Sequence, residues 1–237
     1  MAQQLTLSDR LKQVAFFLPE GAVFADIGSD HAYLPVFVCL QDNKAKAIAG
    51  EVNDGPYNSA KATVHAYQLT DRIDVRLGNG LEVIDSGEVK QLVIAGMGGA
   101  LIHSILDDGK EKLEHMERII AQPNVNAKGV RKWLVINNYR IVDEELIEEN
   151  GHFYEIIVAD NGGKDSSSLP KWTERELLFG PVLLTKQSHA FLKKWQYEHH
   201  KLTRIIKQMK HATIRNEEKI VQFEQELTWI EGVLHNV

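Results

Sequence analysis

Short apolar runs that end on a glycine or an acid, alternating with stretches of helical character, constrain this chain more than any other feature. Residues 22–27 (AVFADI) run into Gly28, and 45–51 (AKAIAGE) end on Glu51. Residues 71–77 (DRIDVRL) alternate polar and apolar before Gly78, while 91–95 (QLVIA) run into Gly96 and 118–121 (RIIA) into Gln122-Pro123. Helical character fills the gaps at 33–41, 55–67, 101–105 with its continuation, and 128–137. Strands separated by helices are βαβ units, which build a parallel sheet covered on both faces. Two more runs, 140–148 and 153–159, flank the turn formers Asn150-Gly151 and read as an antiparallel pair at one edge. The first 21 residues interrupt their apolar run with basic side chains and reach Pro19, so they read as an amphipathic helix rather than a signal peptide. No stretch approaches the roughly 20 apolar residues of a membrane span.

The last third is different. Residues 160–170 (DNGGKDSSSLP) have the composition of a linker. From Ser188 on there is no Pro, and no Gly before Gly232, while apolar residues recur at helical spacing from Leu192 to Met209 and from Ile220 to Leu234. This predicts a long helix bent back near 213–216 into a coiled-coil-like pair. The expected division is residues 1–160, an α/β domain, and 161–237, a helical domain. Charge follows that division. The chain is −6 overall, yet residues 186–219 hold nine Lys or Arg against three Glu, leaving −12 on the rest. An acidic body with a basic arm suits a polyanionic partner; a solvated helix face is the alternative. One cysteine, Cys39, excludes an internal disulfide and a thiolate zinc cluster, and fits a reducing cytoplasm. The ten histidines lack ligand spacing, so no metal is expected.

Candidate chemistry gathers where the strands end. Asp26-Ile27-Gly28-Ser29-Asp30-His31 closes the first run. It is not a dinucleotide fingerprint, because Asp30 stands where a second glycine would be and two carboxylates repel a pyrophosphate. The loop suits a cationic or zwitterionic ligand, of which S-adenosylmethionine is one; an ordinary turn is the alternative. Glu51 at the end of the second run can accept from both hydroxyls of a ribose. Asn79, between Gly78 and Gly80, carries an amide that can donate to and accept from an adenine edge. Gly96-Met97-Gly98-Gly99 leaves a bare backbone for a planar ligand or for close helix packing. Arg10, ahead of the sheet, can pair with a carboxylate.

These residues together resemble the bacterial tRNA (adenine-22-N1)-methyltransferase family. The resemblance is carried by residues 7–11 (LSDRL), 25–35 (ADIGSDHAYLP), 49–56 (AGEVNDGP), 75–81 (VRLGNGL), 94–99 (IAGMGG) and 122–124 (QPN), with 154–157 and 179–181 adding to it. It implies a Rossmann-like seven-stranded methyltransferase domain followed by a C-terminal α-helical coiled-coil-like domain. It also implies S-adenosylmethionine as methyl donor, no metal, and N1 of an adenine in the D-arm region of tRNA as target. Carried over by motif, Arg10, Asp26, Gly28, His31, Glu51, Val52, Asn79, Gly80, Gly96, Met97 and Gly98 surround the cofactor, and Asp30 is the catalytic carboxylate. Lys193, Lys194, Lys201, Arg204, Lys207 and Lys210 of the basic arm are the expected tRNA contacts. A monomer without membrane or obligate protein partner is the accompanying expectation. Methylation of DNA or a small molecule, and a non-catalytic binding module on the same fold, are the competing readings. The absence of an Asn-Pro-Pro-aromatic motif speaks against DNA amino methylation, and the basic arm against a small substrate.

Overall fold

The computed structural model describes residues 5–163 and 170–235. The chain divides into two compact units, Met1–Lys171 and Trp172–Val237.

The first unit contains α1 (Asp9–Phe16), β1 (Val23–Ile27), α2 (Tyr33–Gln41), β2 (Lys46–Glu51), α3 (Asp54–Ala66), β3 (Ile73–Leu77) and β4 (Gln91–Gly98). It continues with α4 (Gly99–Asp108), β5 (Arg118–Val125), α5 (Ala127–Ile136), β6 (Tyr139–Glu149) and β7 (His152–Asn161). The seven strands form one sheet in the order β3-β2-β1-β4-β5-β7-β6. The first five are parallel; β7 runs antiparallel between β5 and β6. Strand order reverses between β1 and β4, which opens a crevice at their carboxyl ends, the place where open α/β sheets bind ligands.

Burial explains the pattern. Phe24, Leu92, Val93, Ile94, Ile119 and Ile120 are fully buried on β1, β4 and β5, because helices cover both faces there. α2 (YLPVFVCLQ) is apolar around its circumference and buries Leu34, Pro35, Val36, Val38 and Cys39. α1 begins only at Asp9, where the Ser8 hydroxyl caps Leu11 N–H at 3.3 Å, so the expected N-terminal helix is shorter than the segment read as one. Residues 1–4 of that segment lie outside the described residues.

Two strands outrun their expected ends. β4 continues through Gly96 to Gly98, and β5 through Gln122-Pro123 to Val125. Pro123 pairs with Met97 where the ladder shifts register on both sides of Met97. A proline is tolerated where the ladder is irregular, and Gly96, at φ 79°, supplies the backbone turn. β7 likewise takes the first two residues of the expected linker; residues 164–169 of that linker lie outside the described residues. Gly99 has a packing reason: a Cβ there would lie 2.8 Å from the Val125 carbonyl oxygen and collide with that of Asn126. Backbone cannot step aside as a side chain can, so α4 approaches β5 this closely only with glycine.

The second unit holds α6 (Glu174–Phe179), α7 (Pro181–Lys186), α8 (His189–His211) and α9 (Glu217–Leu234). Phe179, Phe191 and Trp195 pack edge to face or tilted, with Phe179 and Trp195 centroids 4.4 Å apart. α8 and α9 form the expected hairpin. Asn216 caps α9 through its side chain, accepting from Lys219 N–H at 3.0 Å. The α8 seam steps by four and three residues through Trp195, His199, Leu202, Ile206 and Met209. A polar contact between His199 Nε2 and Glu231 at 3.3 Å and the ion pair Lys210–Glu224 tie it to α9.

Candidate active site

The predicted site residues of the first unit converge on the carboxyl edge of the sheet. Asp26 is the fourth residue of β1 and is buried at 4% exposure. Its Oδ2 accepts from the Ser29 hydroxyl at 2.6 Å. Burial pushes the Asp26 carboxyl up from 3.8 to about 7; the Ser29 hydrogen bond pulls it down and the Glu51 charge pushes it further up. Glu51, buried at the end of β2, accepts the Asp30 backbone N–H. Its carboxyl too is raised by burial, against the pull of that N–H.

Between these acids the chain makes an unusual turn. Gly28 (φ 70°), Asp30 (φ 58°) and Ala32 (φ 55°) are all left-handed. Aspartate tolerates this region; alanine there costs about 1–2 kcal/mol. The turn projects Asp30 outward: its side chain is 72% exposed, with Oδ1 3.6 Å from His31 Nε2. His31 in turn stacks on Tyr33 at 5.1 Å between centroids. A Cβ at Gly28 would run into the Met97 methyl, so the β1 turn and the end of β4 touch directly across the crevice.

To one side lie the residues expected to hold an adenosine. Val52 is exposed at the end of β2. Asn79 and Gly80 follow β3, where Asn79 N–H donates to the Glu82 carboxylate at 3.1 Å. Both border a cleft walled by Leu101, Ser104 and Ile105 of α4.

To the other side lies a network that local sequence reading missed. Gln122 of β5 is fully buried. Its Oε1 accepts from Gly96 N–H at 3.0 Å and from the Arg10 guanidinium, and its Nε2 donates to Asn124 Oδ1 at 3.2 Å. Asn124 Nδ2 donates to the Gly96 carbonyl at 2.8 Å. The Arg10 guanidinium also lies over the Tyr154 ring of β7 at 5.2 Å. Arg10 is thus anchored by a neutral amide and an aromatic face and keeps its charge for an anion. Residues 122–124 and Tyr154 stand among the segments that carry the family resemblance, and that was the available signal.

S-adenosylmethionine fits these residues. Two buried acids face one another across the β1–β2 ends with one donor each, the Ser29 hydroxyl and the Asp30 N–H. Such a pair suits a cationic ligand bearing hydroxyls, and the Arg10 guanidinium suits a carboxylate on the same ligand.

The basic residues of α8 are divided by the hairpin. Lys193, Arg204 and Lys207 lie with Tyr197, His200 and His211 on the face opposite the seam, all exposed, and the adjacent Glu198 is half-buried. Lys201 is paired with Glu198 at 3.2 Å, Lys210 with Glu224, and Lys194 sits over Trp195 at 4.7 Å.

The chain is similar to known proteins over nearly its whole length. Residues 24–232 match the family described as tRNA (adenine(22)-N(1))-methyltransferase. The chain is 43% identical over 233 residues to the tRNA (adenine(22)-N(1))-methyltransferase of Bacillus subtilis, covering 98% of each chain. The crystal structure of the B. subtilis enzyme superposes with a TM-score of 0.89, covering 98% of this chain and all of that one, at 42% identity. A Streptococcus pneumoniae structure in complex with S-adenosyl-L-methionine matches with a TM-score of 0.86 at 39% identity, over 97% of this chain and 100% of that one. The chain described here belongs to the tRNA (adenine(22)-N(1))-methyltransferase family.

Proposed function

We propose that this protein transfers a methyl group from S-adenosylmethionine to N1 of adenine 22 in tRNA, with Asp30 as the catalytic carboxylate. The observation that carries the reading is the Asp30 turn. It sets an exposed carboxylate between two buried acids on β1 and β2 and the bare end of β4.

The bound cofactor supplies an electrophilic methyl. Adenine N1 has an in-plane lone pair and needs no base to become a nucleophile. As N1 forms its bond, positive charge spreads toward the 6-amino group. Asp30, accepting from that amino group, gains strength as the charge develops and so stabilises the transition state over the ground state. Glu51 fixes the Asp30 backbone and thereby the direction of its side chain. Asp26 and Glu51 bind the ammonium and ribose ends of the cofactor, Asn79 and Gly80 its adenine, and Arg10 its carboxylate. N1 lies on the Watson–Crick edge, so the base must be unpaired or extruded.

The α8 face of Lys193, His200, Arg204, Lys207 and His211 grips tRNA phosphates. Residues 1–160 carry methyl transfer and 161–237 the RNA contact, in a cytoplasmic monomer with no obligate protein partner.

The test is methyl transfer to unmodified tRNA, read by nucleoside mass spectrometry, with a second tRNA in which adenine 22 is guanine. 1-Methyladenosine from the first and none from the second is the expected result; label on another base or atom overturns the substrate assignment. Asp30→Ala should lower kcat about 10²–10³-fold with cofactor affinity little changed. Alanine at Lys193, Arg204 and Lys207 together should weaken tRNA binding and reduce the slope of log affinity against log salt by about 2 to 3. An unchanged slope removes α8 from the RNA interface.

A further inference from the structure

The chemistry of the reaction leaves an adenine one edge by which it can be read. N1 must face the methyl group, so the Watson–Crick edge is committed. The Hoogsteen edge, with N7 as acceptor and the second 6-amino hydrogen as donor, remains. Asparagine and glutamine read that edge with both ends of their amide.

The network on β4 and β5 orients one such amide. Gln122 Oε1 takes two donors, Gly96 N–H and Arg10, so its Nε2 must face Asn124. The atom of Asn124 that meets it is therefore the oxygen, and the atom that meets the Gly96 carbonyl is the nitrogen. Each of those bonds uses half of the Asn124 amide. One N–H and one oxygen lone pair are left on an exposed side chain at the end of β5. A fully buried glutamine holds the group in place, so little freedom is lost when it binds. Asn124 also stands on the β5 side of the crevice, whereas Glu51 ends β2 and Asn79 follows β3 on the other.

We infer that Asn124 reads the Hoogsteen edge of the target adenine, accepting from its 6-amino group and donating to its N7. The inference rests on the proposed tRNA substrate. It complements Asp30, which takes the other amino hydrogen. Guanine presents two acceptors along the same edge, so its O6 would meet the Asn124 oxygen and be rejected. Gln122 and Gly96 are positioning groups; they act through Asn124 and touch no base.

The experiment uses the full-length enzyme and tRNA in which adenine 22 is replaced by 7-deazaadenine, which keeps N1 and the amino group but lacks the N7 acceptor. Wild-type kcat/KM should fall about 10–100-fold on the deaza tRNA. Asn124→Ala should show a similar fall on ordinary tRNA and no further fall on the deaza tRNA. Asn124→Asp keeps the acceptor and loses the donor, so it too should be slow on adenine and insensitive to the deaza change. Unchanged cofactor affinity and melting temperature in the variants separate base reading from damage to the Gly96 loop. A deaza effect of the same size in wild type and both variants, or none in wild type, overturns the inference while 1-methyladenosine still forms. Absence of 1-methyladenosine from wild type on ordinary tRNA overturns the substrate reading instead.

Discussion

Asp26→Asn is expected to stabilise the ligand-free protein at pH 8 while abolishing tight cofactor binding. The carboxyl of Asp26 is shifted from 3.8 to about 7 by its burial. At about 1.4 kcal/mol per unit, that amounts to roughly 4 kcal/mol of charge burial. The sign follows from proton counting. Between pH 4 and 7 the folded protein holds a proton on Asp26 that the unfolded chain has released, so stability falls as pH rises through this window and levels off above it. Asparagine keeps the acceptor for the Ser29 hydroxyl and carries no charge, so its advantage appears at pH 8 and vanishes near pH 4. For a chain of this size each kcal/mol raises the melting temperature by about 2–4 °C. The same proton controls ligand binding. If the ionised acid receives the cofactor ammonium, affinity in the wild type should drop about tenfold per pH unit below 7. Calorimetry in buffers of different ionisation enthalpy should then show proton release on binding. A variant that melts like wild type at pH 8, or that binds cofactor as tightly, contradicts this account.

The largest loss of stability is expected at Arg131→Met. Arg131 of α5 is fully buried, with its Nε donating to Glu144 of β6 at 2.6 Å and its Nη2 to Glu155 of β7. Glu144 is fully buried and Glu155 nearly so. Methionine matches the arginine stem in length but leaves two carboxylates facing each other out of water. Removing one member of a buried ionic group costs about 3–5 kcal/mol, because the charges it neutralised stay buried. The measurement is the urea midpoint at pH 7.5. A triple variant with Met at 131 and Leu at 144 and 155 should recover most of the loss, since no charge is then left buried. If the single change costs less than about 1 kcal/mol, the trio does not hold the antiparallel edge to α5.

β1, β2, β4 and β5 were legible because each is largely buried and reads as an apolar run with a turn former after it, whereas edge strand β3 was legible from its polar–apolar alternation. α2 was legible near Tyr33–Gln41, because its largely apolar sequence is flanked by a turn and by Asp42. The ends of β4 and β5 were not, since Gly96 and Pro123 read locally as stops. What keeps them in the sheet is their pairing with each other across a bulge, which is a property of two distant segments. The site divides in the same way. Asp26 and Glu51 announce themselves as acids at strand ends. Gln122 and Asn124 do not, because their roles depend on Gly96, 26 and 28 residues away, and on Arg10, 112 residues from Gln122. The helical arm could be read as basic, but only the α9 seam decides that Lys193, Arg204 and Lys207 face outward while Lys210 meets Glu224.

The outward face of α8 runs from Lys193 to His211, and at about 1.5 Å per residue this is a stiff rod roughly 27 Å long. Lysine and arginine spaced along a rod register the distances between phosphates and ignore the letters they carry. Under the proposed contact a molecule gripped in this way is selected by its silhouette, and tRNAs of different sequence but common shape should bind alike. Discrimination among them then falls on a single extruded nucleotide. For such an enzyme, the number of substrates in the cell is set by how many tRNAs place an adenine at one position, and evolution of a tRNA gene can enter or leave that set by one base change.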